Sequence, residues 1–335
     1  MPVNENDIQR ERWRRFGWTW LDGSANNGAM TVLSALQETP PARPATADAT
    51  DKLPPLPLSF RLVVLWVELV ALAGAALLLL QLSWIAGSVV ASACTSIGCL
   101  HGKIVAKSVE CFATVGGLLT LMGWFFNQRK VDMAVALLGW RRVHYGLVAS
   151  YFALHLGLLL VMMKVERLQV ESVHKLPFDQ PGLQIETALK ALLFAPLIEE
   201  LAFRCLAFQV VLNRTASVRA AIGTSSVLFA LLHLANLRKV LEGESVAGVV
   251  LQVCLAFMVG VFLSVRVSAS GSLFECLLLH AINNLFAIRM ASQLGGNVDV
   301  TRLDHFLLAL AVFVVYGWAI VSTWRHLERQ HGKHR

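Results

Sequence analysis

The stretch that decides how this chain folds is FAPLIEELAFR, residues Phe194 to Arg204. Two adjacent glutamates stand in it, and an arginine follows the second at a spacing of four. Everything around them is apolar for long enough to cross a lipid bilayer, where an ionisable residue costs roughly 2.5–3.5 kcal/mol on insertion scales. Neighbouring helix residues point about 100° apart, so Glu199 and Glu200 face different surroundings. Glu200 and Arg204 share a face, as an ion pair requires. Glu199 is left without a partner on its own helix. The spacing predicts a division of labour. Glu200 neutralises Arg204 and holds the helix in place, while Glu199 keeps a carboxylate for chemistry.

The rest of the chain fits a membrane setting. Its 335 residues are 56% hydrophobic and only 15% charged, and the mean hydropathy is +0.59. That composition points to an all-α, multi-pass membrane protein rather than a soluble domain. A hydrocarbon core about 30 Å thick needs about 20 apolar residues per helix. Spans are expected near 59–83, 109–127, 145–163, 185–213, 219–237, 246–266, 271–291 and 304–324, giving a bundle of about eight transmembrane helices. Four regions follow: an N-terminal cytosolic tail and Pro-rich linker (1–58), scaffold helices (59–184), a core carrying the chemistry (185–291), and a last span with a basic C-terminal tail (292–335). No cleavable signal peptide is expected, because RERWRR is followed by no apolar run of the needed length. The net charge of +7 reads as topology rather than nucleic-acid binding, since most Lys and Arg fall on the side holding both termini. The positive-inside rule puts that side in the cytosol. Arg10, Arg12, Arg14 and Arg15 interleave with Trp13, Phe16, Trp18 and Trp20, a mix suited to an anionic membrane surface or to a basic tail. Cys94 and Cys99 form the one close cysteine pair, compatible with a disulfide.

Further polar residues lie in other spans. FALLHLAN places His233 and Asn236 in the fifth, and HAINNLF places His280, Asn283 and Asn284 in the seventh. Counted from the cytosolic ends, Glu199, His233, His280 and Asn284 form one layer roughly 14–21 Å deep. His280 and Asn284 share a face, and Asn283 points elsewhere. In such a layer Glu199 can take a proton from water and His233 can orient that water. His280 and Asn284 can donate hydrogen bonds to a developing oxyanion. Amide hydrolysis by activated water is the reaction class this suggests. Ser225, Ser226 and Cys205 lack a comparable setting for a nucleophile. Glu199, His233 and His280 could alternatively hold a catalytic zinc, although no H-E-x-x-H is present; the expectation is no cofactor. A non-catalytic scaffold or transporter would favour broken helices and paired repeats, and neither is evident in the sequence.

The ordered set of motifs resembles a known family. EELAFR fits the E-E-x-x-F-R motif of the CAAX-type intramembrane endopeptidases, FALLH fits F-x-x-x-H, and HAINN fits H-x-x-x-N. APLIEELAFR further resembles the eukaryotic type II CAAX prenyl proteases. The resemblance covers about residues 185–291. It implies a glutamate-dependent hydrolase that removes the last three residues of prenylated CaaX proteins at the endoplasmic reticulum, with membrane lipids as the other partner. Carried over, Glu199 is the base, His233 its partner, and His280 with Asn284 the oxyanion donors. Glu200, Arg204 and Phe229 support the site. A relative of bacterial type, in an inner membrane and cutting another peptide or membrane protein, is the alternative.

Overall fold

The structure is a computed structural model. It describes residues 58–97, 102–126, 142–165, 185–215, 217–241, 245–294 and 303–332. The tryptophan-rich tail, most of the Pro-rich linker and Cys99 lie outside the described residues, so the tail's surface role and the Cys94–Cys99 pairing do too.

Eight helical rods, and no strand, make up the described residues. They are α1 (Leu58–Ser96), α2 (Gly102–Phe125), α3 (Tyr145–Val165), α4 (185–215), α5 (Val218–Leu232, running on through His233–Leu237 and Arg238–Leu241), α6 (Val246–Ser270), α7 (Leu273–Leu294) and α8 (Leu303–Gly332). The protein is an all-α membrane bundle. α1 and α2 form a hairpin, and α4 to α8 make the packed body.

Several boundaries differ from the sequence expectation: α2 starts at Gly102 rather than 109, α8 runs on to Gly332 rather than 324, and two others have a visible cause. α1 runs past residue 83 to Ser96, because Ser88, Ser92, Thr95 and Ser96 each turn a hydroxyl back onto the carbonyl four residues earlier. Those bonds hide the hydroxyls on the helix itself, so a polar stretch can continue a lipid-facing rod. The turn expected at 267–270 falls instead at 271–272. Gly271 adopts φ 63°, which an L side chain resists, and its N–H caps α6 on the Val267 carbonyl at 2.9 Å.

By length and hydropathy, five rods qualify as spans: Leu62–Ser96, Gly102–Phe125, Val218–Leu237, Val246–Ser270 and Phe306–Arg329. α3 contributes a shorter apolar stretch, Tyr145–Val161. α4 falls outside that set for a physical reason. It carries Lys190, both glutamates and Arg204, and the apolar rods wrap it. Leu201, Phe208, Val210 and Val211 of α4 and Cys276 and Leu279 of α7 are buried in the common core. Between α5 and α6 the backbones come close at Gly260. A Cβ there would stand 3.2 Å from both the Phe229 ring and Ser226, so glycine sets how far Phe229 reaches into the layer.

Candidate active site

The local chemistry starts with α4, which changes helical pitch twice. Lys190–Phe194 and Leu201–Ala207 are π-helical, on either side of the α-helical turn Ala195–Glu200. Pro196 explains the first change. A proline inside an α-helix has no N–H and its ring crowds the carbonyl four residues back. The wider turn relieves the crowding, with the Ala195 N–H reaching back to the Lys190 carbonyl. In that register residue 196 should serve the Ala191 carbonyl, and proline cannot. Asn284 does so instead: its Nδ2 donates to the Ala191 carbonyl at 2.9 Å. In the second π stretch the Phe203 carbonyl accepts both the Phe208 N–H and Ser225 Oγ, the latter at 2.7 Å.

The two glutamates sit between these pitch changes in opposite surroundings. Glu200 is fully buried. One of its oxygens accepts from His280 Nδ1 at 2.7 Å, and the other lies 3.3 Å from Arg204 Nε. Glu199 keeps 23% of its side chain exposed and faces His280 Nε2 at 3.5 Å. That distance is an ion-pair contact, too long for a hydrogen bond. His280 is thus held between two carboxylates, one on each ring nitrogen. The partner Glu199 lacks on its own helix comes from α7.

Arg204 is fully buried, and its Nη1 and Nη2 have no hydrogen-bond acceptor among the described residues. Its guanidinium lies 4.4 Å above the Phe229 ring, a cation–π contact that gains strength away from water. Phe229 also meets the rings of His233 and His280 edge-on, with centroids 4.9 and 5.7 Å away. The phenylalanine of the F-x-x-x-H spacing therefore touches the arginine and both histidines.

His233 begins the 3₁₀ turn that ends α5, and its Nδ1 is 3.0 Å from the Phe229 carbonyl. A carbonyl only accepts, so Nδ1 carries a proton, and in the neutral ring Nε2 is the acceptor. Its ring lies within electrostatic range of Glu199. Glu199, Glu200, Arg204, Phe229, His233 and His280 therefore form one contiguous group. Asn284 stands about a turn away from His280 along α7, toward the first π stretch.

Other sequence-level candidates have separate engagements. Asn236 donates to Gln252 at 3.1 Å, and Asn283 accepts from Tyr316 at 3.3 Å. Tyr316 is in turn bonded to Tyr151, so Asn283 belongs to an aromatic seam joining α3, α7 and α8. Sequence reasoning missed that seam, since single tyrosines in apolar spans carry no spacing signal. Ser226 bonds back to Ile222 at 2.6 Å and Cys205 is buried. Among the described residues no group of three or more His, Cys, Asp or Glu side chains has the arrangement of a metal site, Glu199 with His233 and His280 included.

Residues 181–286 match the family described as type II CAAX prenyl endopeptidase, Rce1-like. Over that stretch the chain is similar to the CAAX-type membrane proteases. This Rce1-like region takes in α4 to α6 and most of α7, and with them every member of the cluster around Glu199. α1 to α3 and α8 lie outside it. No curated protein and no solved structure matches the chain.

Proposed function

We propose that the chain is an intramembrane endopeptidase that removes the C-terminal tripeptide from prenylated CaaX proteins by glutamate-activated water attack. The observation that carries this reading is the contrast within one dipeptide. Glu200 is spent on Arg204 and His280, while Glu199 stands half-open beside His280 Nε2.

In the proposed step Glu199 accepts a proton from water as the water oxygen bonds to the scissile carbonyl carbon. The carbonyl π electrons move onto oxygen. His233 Nε2 accepts the second water hydrogen bond and so aims the lone pair. In this scheme His280 donates Nδ1–H to Glu200 and Nε2–H to the oxyanion, and Asn284 adds the amide hydrogen not used on Ala191. Collapse restores the carbonyl and breaks the C–N bond, and Glu199 returns the proton to the leaving amine. Positioned acid–base catalysis contributes about 10²–10⁴ in rate, and each oxyanion donor about 10²–10³.

The lipid is part of the proposed recognition. The layer lies inside the bundle, so a substrate held in the bilayer by an isoprenoid presents its tail laterally. Mass spectrometry of a farnesylated reporter peptide incubated with purified protein should show loss of three C-terminal residues. Its non-prenylated twin should be cut at least about tenfold more slowly, given ~0.8 kcal/mol for each buried CH₂. Equal rates for the two peptides would sink the prenyl reading and favour the relative of bacterial type.

The proposed chemistry runs on side chains alone, with no cofactor. Treatment with o-phenanthroline should leave reporter cleavage unchanged. Activity lost to the chelator and restored by added zinc, with the protein still folded, would count against it. The proposed location is the endoplasmic reticulum membrane with both termini cytosolic, the bacterial inner membrane being the alternative.

A further inference from the structure

A second ionic cluster lies at one rim of the bundle, away from Glu199. Glu275, in the first turn of α7, is fully buried and accepts from Arg266 Nε at 2.8 Å and Nη2 at 2.6 Å on one oxygen. Its other oxygen takes the His144 backbone N–H at 2.7 Å and meets His144 Nδ1 at 3.0 Å. The αL turn at Gly271 brings α6 and α7 together here, and Ser272 Oγ accepts the Glu275 N–H at 3.1 Å. Glu275 and His280 are five apart on α7, so their side chains point about 140° apart. The rim cluster and the catalytic layer therefore occupy different faces of one helix.

Above the cluster is a cavity of about 370 Å³ lined by His144, Gly146, Leu147, Arg266, Ala269 and His326. Its lining holds a buried guanidinium and the positive end of a helix dipole. Arg266 is buried to 6% exposure, and its Nη1 makes no hydrogen bond among the described residues, the other two nitrogens being engaged. Gly146 is in the first turn of α3, at the positive end of the helix dipole, where the Leu147 and Val148 N–H groups donate to the His144 carbonyl at 2.9 and 3.1 Å. A Cβ on Gly146 would meet nothing within 4 Å, so the approach to this turn is open. His144 and His326 flank it. The nearby carboxylates are already committed, Glu275 as described and Glu328 to Arg219 and Trp324. The candidate spans Val246–Ser270 and Phe306–Arg329 end beside the cavity.

We propose that this cavity is a phosphate-binding site that takes the headgroup of an anionic membrane phospholipid, clipped between the start of α3 and the ends of α6 and α8. Basic pockets between transmembrane helices recognise such headgroups through charge-assisted hydrogen bonds. Binding joins α3, outside the Rce1-like region, to α6 within it.

The test uses the full chain in nanodiscs of phosphatidylcholine with and without phosphatidylglycerol, read by melting temperature and by native mass spectrometry of retained lipid. Two variants put a carboxylate at the cavity: Gly146→Glu and His326→Glu. Neither touches the Arg266–Glu275 pair, and an acid in the first turn of α3 favours the helix. Gly146→Gln is the uncharged control. Wild type should retain phosphatidylglycerol and melt higher with it. Both glutamate variants should lose about tenfold or more in retention through like-charge contact, and Gly146→Gln should bind like wild type. Millimolar inorganic phosphate added to phosphatidylcholine discs supplies the second arm. A melting rise with it alone supports the phosphate site and assigns a soluble source. Equal retention of the two lipids with no response to phosphate would overturn the proposal, as would both glutamate variants behaving like wild type.

Discussion

Glu199→Gln is expected to abolish turnover, by about 10²–10⁴ in rate, while leaving yield and melting temperature near wild type. The amide keeps the size of the side chain and its contact with His280, but it cannot take a proton from water. Because 23% of this side chain is exposed and it bonds to no other group in the core, the fold loses little. The measurement is specific activity per folded molecule on the farnesylated reporter, beside detergent-solubilised yield. An active Glu199→Gln, or one that fails to fold, would show that the base has been misassigned.

Glu200→Gln is expected to fail differently, through stability. It leaves Arg204 charged in a fully buried site whose remaining contact is the Phe229 face. Breaking one side of a buried pair costs about 3–5 kcal/mol, a large share of an ordinary stability of about 5–15 kcal/mol. Arg204→Leu should cost a similar amount, although His280 still holds Glu200 by its Nδ1 at 2.7 Å. Combining the two should recover part of the loss, since the sites are in contact and their effects are not additive. Glutamine can still accept from His280, so the surviving folded fraction should cleave faster per molecule than Glu199→Gln does. Melting temperatures of the two singles and the double complete the cycle. A fully stable but inert Glu200→Gln would mean that base and strut are exchanged.

The sequence by itself determined the architecture and the residue types of the site. Apolar runs of bilayer length have one stable backbone solution in lipid, the helix, so the rods could be placed to within a turn at most ends. The four-residue spacing of Glu200 and Arg204 likewise fixed a shared face on one helix, and the ion pair follows from that alone. Contacts between helices were not legible, because nothing in a spacing states which rods meet or at what rotation. Only the tertiary structure showed that α7 brings His280 to both glutamates, giving Glu199 the partner its own helix lacks. Only it gave Phe229 a physical task, beneath a guanidinium whose other neighbour is Glu200. The two π stretches were hidden as well, since a proline in a helix can produce a kink, a break or a wider turn. Which of these forms depends on whether another helix can serve the orphaned carbonyl. Here Asn284 does, at Ala191, and that bond between distant parts of the chain supports the wider turn that Pro196 sets as α4 leads into the two glutamates.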